Sequence, residues 1–411
     1  MPASFRSDQL SRGDHSRIYR VFDLPILRHN AGIRSCDIVH DSRKIYDKVS
    51  KSEVMVPKKR ICEILEDYDL GDITIATLCS HSSMQIFNGA KKEGFKTLGL
   101  AVNQKTKFYD AFPLAKPDEF IRFDSYDDFI DRAGELRDRN VIIIPHGSFV
   151  EYMGTRRFEQ MEVPTFGNRA VLKWEEDRDT QRAWLESAGI QMPRKIPDAK
   201  DIREPVLVKY NGAKGGRGFF IAKDYMEFKM GIDLSQESYT IQEYILGTRY
   251  YLHYFYSPIR KHGYRVGEGS LELMSMDRRD ESNIDELYKL GATEELKKHG
   301  MFPSLVVTGN IPVVIRESLL SKVLEMGENV ILKSYELFGG LIGPFCLESI
   351  VTDKLDFKVF EISCRIVAGT NPFISGSPYS DLIEPGMSTG QRIAREIKDA
   401  RDNNALDLVL S

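Results

Sequence analysis

The chain has 411 residues, of which 42% are hydrophobic and 29% charged, and its formal net charge is −4. This length and composition predict a globular protein of two or three domains, each of roughly 100 to 200 residues. Because the basic residues are dispersed along a slightly acidic chain, nucleic acid is disfavoured as a partner. The five cysteines form no CxxC pair, so we expect free thiols in a reducing cytoplasm.

No membrane partner is expected, because the longest apolar runs, such as VIIIP at 141–145, fall far short of the roughly 18 residues that a spanning helix requires. The N-terminal stretch 1–56 is polar and lacks sustained periodicity, and it is interrupted by arginines where a secretory signal would be apolar. We therefore predict a poorly ordered N-terminal extension and a cytoplasmic protein.

Strands alternate with helices over 57–169, which predicts an α/β domain with a parallel, Rossmann-like sheet. Strands such as DITIATLC at 72–79 and NVIIIP at 140–145 end just before His81 and Ser148. Open parallel sheets bind ligands at the carboxyl ends of their strands, so both residues are candidate ligands. The alternative role for His81 is to cap the helix that follows.

The segment 170–193 reads as one amphipathic helix, and after it the pattern changes to antiparallel strands. We place a domain boundary near 168–172 and predict an α+β domain over 170–411. Within that domain, 277–300 is polar and is predicted to form a substrate loop with a short helix, and a long helix is predicted from Glu317 to Leu337.

A glycine-rich segment, KYNGAKGGRGFF at 209–220, lies between two predicted strands. Its glycines let backbone N–H groups approach phosphate oxygens, and its basic residues supply positive charge. It lacks the residue order of a P-loop or a dinucleotide fingerprint. The alternative interpretation is a flexible hairpin turn. The candidate nucleotide-binding residues here are Lys209, Gly215, Gly216, Arg217 and Gly218.

Two glutamates, Glu348 and Glu361, lie in neighbouring apolar strands, IGPFCLESI and KVFEISCR. A carboxylate within an apolar strand is costly to bury unless a cation neutralises it, so the pair predicts a magnesium site facing nucleotide phosphates. Earlier in the chain, Glu243 ends a strand, and the backbone of Tyr244 and Ile245 follows it as a candidate adenine contact. Alone, that strand is better explained by a glutamate facing solvent.

The glycine hairpin, the QEY strand and the string E-I-S-C-R after Glu361 resemble the ATP-grasp ligases. Within them, TIATLCSHSS, VIIIPHGSF, NGAKGGRGFFIA, MDRRDESNID and RIVAGTN are similar to the archaeal formate-dependent 5-formaminoimidazole-4-carboxamide ribonucleotide synthetases. The resemblance covers about residues 58–411. It departs from the common E-I-N-P-R pattern at Ser363, where an asparagine often adds a metal ligand.

The resemblance implies an ATP-grasp fold with a mobile antiparallel lid over about 176–245, and a homo-oligomer. It implies a carbon–nitrogen ligase of IMP biosynthesis that uses ATP, formate and Mg²⁺ or Mn²⁺ to formylate 5-aminoimidazole-4-carboxamide ribonucleotide through formyl phosphate. It implies that Arg316 and Arg365 are catalytic residues that hold phosphate or formate. It implies that His81, Ser148, Asn283 and Asn371 bind substrate, with metal ligation as the alternative for Asn371, and that Glu348 and Glu361 bind metal.

Several of these roles have plain alternatives. Arg316 and Arg365 are equally explained by ordinary ion pairs, and Asn283 by a solvated loop. Two other functions also stay open at this point. The first is a related ligase that uses another acid or amine, and the second is a nucleotide-binding regulatory protein without turnover, which the replacement at Ser363 suggests.

Overall fold

The computed structural model describes residues 55–210, 218–233, 238–281 and 306–411. The helices there are α1 Lys58–Glu66, α2 Ser83–Lys92, α3 Tyr126–Asp131, α4 Ala133–Arg137, α5 Thr155–Glu159, α6 Val171–Glu176, α7 Arg178–Ser187, α8 Tyr225–Gly231, α9 Leu320–Phe338, α10 Thr389–Asp402 and α11 Leu406–Val409. The strands are β1 Thr74–Leu78, β2 Lys96–Val102, β3 Glu119–Phe123, β4 Val141–Ile143, β5 Val206–Tyr210, β6 Phe219–Ala222, β7 Tyr239–Glu243, β8 Thr248–Ser257, β9 Tyr264–Val266, β10 Gly269–Glu281, β11 Val307–Pro312, β12 Gly343–Val351 and β13 Phe357–Ser363.

The first sheet is parallel and has the strand order β3-β2-β1-β4. Its two central strands are buried almost throughout, as expected when helices cover both faces of a parallel sheet. All four strands therefore end at the same edge. The strands that end before His81 and Ser148 are neighbours, because β1 and β4 pair directly.

The second sheet is antiparallel and has six strands, in the order β11-β10-β8-β12-β13 with β9 attached to β10. Side chains alternate between its two faces. One face is apolar and packs on α9, where Tyr254 donates a hydrogen bond from its hydroxyl to the Val323 carbonyl. The opposite face carries Glu348 and Glu361. One face of this sheet thus packs into the core, and the other face carries the two carboxylates.

A third, three-stranded antiparallel sheet has the order β6-β5-β7 and packs on α8 around a small core of its own. It falls within the range 176–245. The predicted long helix after Glu317 is confirmed, as a short 3₁₀ turn over Glu317–Leu319 followed by α9.

Two sequence predictions about local structure are wrong. The single helix predicted over 170–193 is two helices, because Asp177 leaves the helical conformation and its carboxylate accepts hydrogen bonds from the N–H groups of Asp179 and Thr180. Such a side chain caps a new helix and ends the previous one. The polar loop predicted from Asp277 onward begins later, since β10 continues to Glu281.

Helix α10 joins the first two sheets. It crosses α2 at a close approach of Gly89 and Gly390, and on its other side Arg392 is buried in ion pairs with Glu272 and Glu396. A parallel bridge between His146 and Ile366 links the two sheets a second time. This bridge holds the edge of the first sheet against the residues that follow β13.

No helix in the described part of the chain is long and apolar enough to cross a membrane. Four cysteines, Cys62, Cys79, Cys346 and Cys364, are free thiols as predicted. The fifth, Cys36, and nearly all of the predicted N-terminal extension lie outside the described residues.

The crossing of α2 and α10 gives a test of the fold. A Cβ atom at Gly89 would overlap the backbone of Gln391, so we expect Gly89→Ala to lower the free energy of unfolding by about 1–3 kcal/mol. Gly134→Ala in α4 is the matched control, because a Cβ atom there would lie 3.8 Å from its nearest neighbour, an Arg137 side-chain nitrogen. This substitution should be neutral or slightly stabilising. Denaturant unfolding measures both. Equal stability of Gly89→Ala and wild type would contradict the crossing.

Candidate active site

Glu348 and Glu361 lie directly opposite each other on the paired strands β12 and β13. Glu348 is 5% exposed and Glu361 is half-buried. Like charges in this cross-strand position repel each other. Burial, and next the Glu348 carboxylate, raise the pKa of Glu361 above its ordinary value. The strand register therefore brings together the two carboxylates that the sequence singled out.

Three cationic side chains surround this carboxylate pair. Arg279 donates a hydrogen bond from Nη2 to Glu348 Oε1 at 3.0 Å, and its guanidinium lies 3.7 Å from the centre of the Tyr251 ring. Lys209 and Arg178 act electrostatically on Glu361 and lower its pKa, against the effect of burial. Positive charge on several sides of two carboxylates makes a site suited to polyphosphate and a divalent cation together.

The donor set fits a hard divalent cation, since Mg²⁺ is bound through one or two carboxylates plus substrate phosphates and water. Among the described residues, the side-chain hydrogen bonds to Glu348 all reach Oε1. Arg279 donates one of them at 3.0 Å, and the Ser363 hydroxyl donates the other at 3.5 Å. No group of three or more His, Cys, Asp or Glu residues that would hold a metal occurs in the described ranges. Two protein ligands are thus what this face offers.

Lys209 is the penultimate residue of β5, close to the glycine-rich segment, and is half-buried. Burial lowers its pKa, while the Glu361 carboxylate opposes that effect. Gly218 adopts a left-handed φ of +72° and its carbonyl accepts a hydrogen bond from the Tyr210 N–H, which closes the hairpin. Gly215, Gly216 and Arg217 lie outside the described residues. Strands on both sides of the loop agree with a hairpin rather than a P-loop.

The candidate adenine segment follows β7. The Glu243 carboxylate accepts a hydrogen bond from the Arg194 N–H at 2.9 Å, and the Tyr244 N–H donates to the Pro205 carbonyl at 3.0 Å. Ile245 is half-buried and takes part in no hydrogen bond among the described residues. Of the two backbone N–H groups considered, that of Ile245 is therefore the one left for a ligand.

His81 and Ser148 are brought together at the edge of the parallel sheet. His81 Nδ1 lies 2.8 Å from Ser148 Oγ, which is itself 2.5 Å from Ser80 Oγ. His81 has a left-handed φ of +43°, a strained conformation typical of functional positions. Burial of its packed side, and then Arg365, lower its pKa. The N-cap residue of α2 is Ser82, and its side chain makes no capping hydrogen bond, so His81 does not occupy the N-cap position.

His146, the first residue of the string HGS that follows a predicted strand end, organises this cluster. Its buried ring has Nε2 at 2.9 Å from the Leu78 carbonyl, and its Nδ1 accepts a hydrogen bond from the Ser148 N–H at 3.3 Å. That pattern requires the neutral tautomer with hydrogen on Nε2. Burial lowers the pKa of His146 to about 3. The string HGS was the available signal, since its first residue follows the strand end.

Arg365 lies beside the His81 cluster. It follows β13, the strand of Glu361, by two residues, and its guanidinium lies close to Gly147 and His81. Glu175 in the last turn of α6 pairs with Arg365 at 2.8 Å and also accepts a hydrogen bond from the Cys364 N–H. The ion-pair alternative for Arg365 therefore holds, and the pairing fixes its guanidinium beside the His81 cluster.

The other candidates are less constrained. Arg316 and Asn371 are exposed, and no hydrogen bond or ion pair within the described ranges ties their side chains to either cluster. The turn that carries Asn371 is anchored by Gln85, whose side chain donates to the Thr370 carbonyl at 2.6 Å. Asn283 lies outside the described residues.

Fold and site together define a mixed α/β protein whose neighbours among solved structures are ATP-grasp enzymes. A crystal structure of the IMP biosynthesis protein PurP from Thermococcus kodakaraensis is 29% identical, with a TM-score of 0.62, and the match covers 82% of this chain and all of that one. N5-carboxyaminoimidazole synthetase from Staphylococcus aureus, complexed with ADP, is 16% identical, with a TM-score of 0.53. That match covers 77% of this chain and 75% of the other. At this identity the similarity is evidence for the fold and not for the function.

Sequence relatives narrow this class. A 5-formaminoimidazole-4-carboxamide-1-(β)-D-ribofuranosyl 5′-monophosphate synthetase from Methanosarcina acetivorans is 62% identical over 357 residues, which is 87% of this chain and 100% of the relative. The synthetase of the same name from Korarchaeum cryptofilum is 46% identical over 371 residues, with the same coverage. Two models of unknown function, DUF1246 and DUF1297, match residues 75–196 and 224–411. The chain belongs to this synthetase family.

The buried neutral His146 gives a pH prediction. Its pKa is about 3 in the folded state and about 6.5 in an unfolded chain, so only the unfolded state takes up a proton between these values. The free energy of unfolding should be highest above about pH 6.5 and should lose about 1.4 kcal/mol per pH unit below it through this residue.

Chemical unfolding at a series of pH values measures this slope. Between pH 6 and pH 4, the slope of the free energy of unfolding against pH should be smaller in His146→Asn by the equivalent of about one proton. This holds whatever the absolute stability of the variant. His262→Asn is the control, because the His262 side chain is exposed, and it should keep the wild-type slope. An unchanged slope in His146→Asn would show that His146 is protonated in the folded protein.

Proposed function

We propose that this protein joins formate to the amine of 5-aminoimidazole-4-carboxamide ribonucleotide at the expense of ATP, releasing ADP and phosphate. Relatives that carry the synthetase name match across their full length at 62% identity. The observation that carries the proposal is that Arg365, four residues after Glu361, is fixed against Gly147 and His81 at the edge of the parallel sheet. This short segment would bring the carboxylate pair, which is suited to metal and triphosphate, close to the His81 cluster, so that both halves of a phosphoryl-transfer and ligation site meet.

ATP is assigned to the space between the three-stranded and six-stranded sheets. Lys209, Gly215, Gly216, Arg217 and Gly218 would contact its phosphates, and Glu243, Tyr244 and Ile245 its adenine. The position of Lys209 next to Glu361, and the open N–H of Ile245, support this orientation. The three-stranded sheet has its own small core, as expected of a lid that moves as a body over the site.

Mg²⁺ or Mn²⁺ would be held by Glu348 and Glu361. The two-carboxylate donor set fits such an ion, and the mutual repulsion that raises the pKa of Glu361 is relieved by a bound dication. When bound, the ion would neutralise phosphate charge as the γ-phosphoryl group is transferred. Arg279 holds Glu348 in place from the other side, and the Ser363 hydroxyl adds a donor to the same oxygen.

The ribonucleotide would lie against His81 and Ser148, with Asn283 as a further contact. Because Ser148 Oγ occupies Nδ1 of His81, the Nε2 side of the ring is available to the ligand. Helix α2, ten residues long, begins just after His81, and its N-terminal N–H groups favour an anionic substituent nearby. His146 keeps Ser148 in position from beneath.

The proposed reaction depends mostly on the alignment of ATP, formate and the amine. Transfer of the γ-phosphoryl group to a formate oxygen gives formyl phosphate and ADP; the amine nitrogen attacks the formyl carbon, phosphate leaves, and the nitrogen loses a proton. Arg365, fixed by Glu175 beside the His81 cluster, would hold formate or phosphate with a planar fork. Arg316 and Asn371 would complete this contact when the lid closes and excludes water.

Two broader predictions from the sequence accompany this function. We assign the enzyme to the cytoplasm, where the purine pathway supplies its substrates, and we expect a homo-oligomer. The described residues contain neither a helix able to span a membrane nor a cysteine pair in a disulfide. Sedimentation of the purified protein measures the oligomeric state directly.

A coupled assay of ADP release tests the function. Wild type should release ADP only when formate, the ribonucleotide and Mg²⁺ are all present, and chelation should stop turnover. Glu361→Gln should lower the rate by on the order of a hundredfold or more, because it removes one of two metal-binding carboxylates. Glu268→Gln, at an exposed glutamate, is the matched control. Turnover without formate, or full activity in Glu361→Gln, would refute the proposal.

A further inference from the structure

Three cationic side chains line an open cavity of about 500 Å³ that neither the carboxylate pair nor the His81 cluster uses. Lys105 and Lys107 flank Thr106 in the loop after β2, and Arg122 comes from the end of β3. The charged ends of all three are exposed. A cavity of this volume is within the range of small-molecule sites.

The positive charge of this cavity has no matching carboxylate. Asp110 also lines it, but its Oδ1 accepts a hydrogen bond from Lys116 at 2.8 Å, and Lys116 followed by Lys107 holds its pKa below the ordinary value. In the described part of the chain no ion pair reaches Lys105, Lys107 or Arg122. On a chain of net charge −4, such a local excess of cations attracts anions.

The loop that carries the lysines is held in place by its other side chains. Arg122 Nη2 donates to the Thr106 hydroxyl at 2.5 Å, and Thr106 is 7% exposed. Gln104 Oε1 accepts a hydrogen bond from the Val102 N–H, and Asn103 adopts a left-handed φ of +61° while its amide donates to the Asp124 carbonyl. A fixed loop lowers the entropy lost when a ligand binds.

The cavity lies at the edge of the parallel sheet where ligands bind in such folds. Strand β2 pairs with β1, whose end carries His81, and neighbouring strands are about 4.8 Å apart. The lysine loop and the loop of the proposed ribonucleotide site therefore follow neighbouring strands at the same edge of the sheet. The phosphate of a ribonucleotide bound after β1 would extend toward the loop after β2.

We propose that Lys105, Lys107 and Arg122 form a binding site for a phosphate monoester dianion. Lysine and arginine bind phosphate through charge-assisted hydrogen bonds, and a dianion would match the unpaired charge of the cavity. One source is the 5′-phosphate of the ribonucleotide, which rests on the proposed function. The other is a separate phosphorylated metabolite bound beside it.

The probe is ribose 5-phosphate, titrated by calorimetry into protein whose nucleotide site is filled with ADP and Mg²⁺. The test variant is Lys105→Gln with Lys107→Gln, and the matched control is Lys58→Gln with Lys59→Gln on α1, which removes the same charge from another surface. Wild type and the control should bind equally. The test variant should bind at least tenfold more weakly, because charge-assisted contacts are lost.

Repeating the titration with saturating ribonucleotide separates the two sources. Loss of ribose 5-phosphate binding assigns the site to the substrate's own phosphate, and the KM for ribonucleotide should then rise about tenfold or more in the test variant while the KM for ATP stays constant. Retained binding assigns it to a second ligand. Absent binding in wild type, or equal binding in wild type and test variant, overturns the site. These titrations need no turnover, so a failure of the proposed reaction is seen separately, in the ADP-release assay.

Discussion

The strand register that sets Glu348 opposite Glu361 is the constraint on which the site depends. A slip of one residue between β12 and β13 would turn one carboxylate into the apolar core. The register is irregular only beyond the pair, between Glu348 and Ser349. Two carboxylates placed opposite each other repel, so Arg279, Lys209 and Arg178 stabilise the fold as well as the site.

The second constraint is the junction between the parallel and antiparallel sheets. The bridge from His146 to Ile366 and the pairing of Arg365 with Glu175 fix the end of β13 against the edge of the first sheet. Since Glu361 lies on that same strand, one short segment helps to position both the carboxylate pair and the His81 cluster. Helix α10 reinforces this arrangement through its glycine contact with α2 and its buried Arg392. Reactants that must meet in line benefit from such a rigid junction.

Much of this could be predicted from sequence because the patterns are local. Strand ends before His81 and Ser148, and two glutamates within apolar strands, are visible in the residue order. Arg279 was not predicted, because DRRDE reads as a polar loop although it continues β10 on the face that carries the site. Polar residues on a functional strand face look like loop residues when tertiary partners are unknown. Asp177 shows the converse, since a helix cap within a helical pattern divided one predicted helix into two.

His146 and Glu175 act through residues distant in sequence, and no spacing rule connects His146 with Leu78 or Glu175 with Arg365. Their roles follow only from the packed structure. The same is true of the cationic cavity after β2, where Arg122 is brought to two lysines by the pairing of parallel strands. Sequence patterns thus predicted most elements and singled out residues that the fold brings together, while the supporting contacts required the fold.

The most direct test of the central claim is a crystal structure with ADP and Mn²⁺, in which anomalous scattering locates the metal. The account predicts a peak bonded to carboxylate oxygens of both Glu348 and Glu361 at about 2.1 Å, facing the phosphates of the nucleotide. A metal bound elsewhere, or a Glu348 that remains paired only with Arg279 while the nucleotide is present, would contradict it.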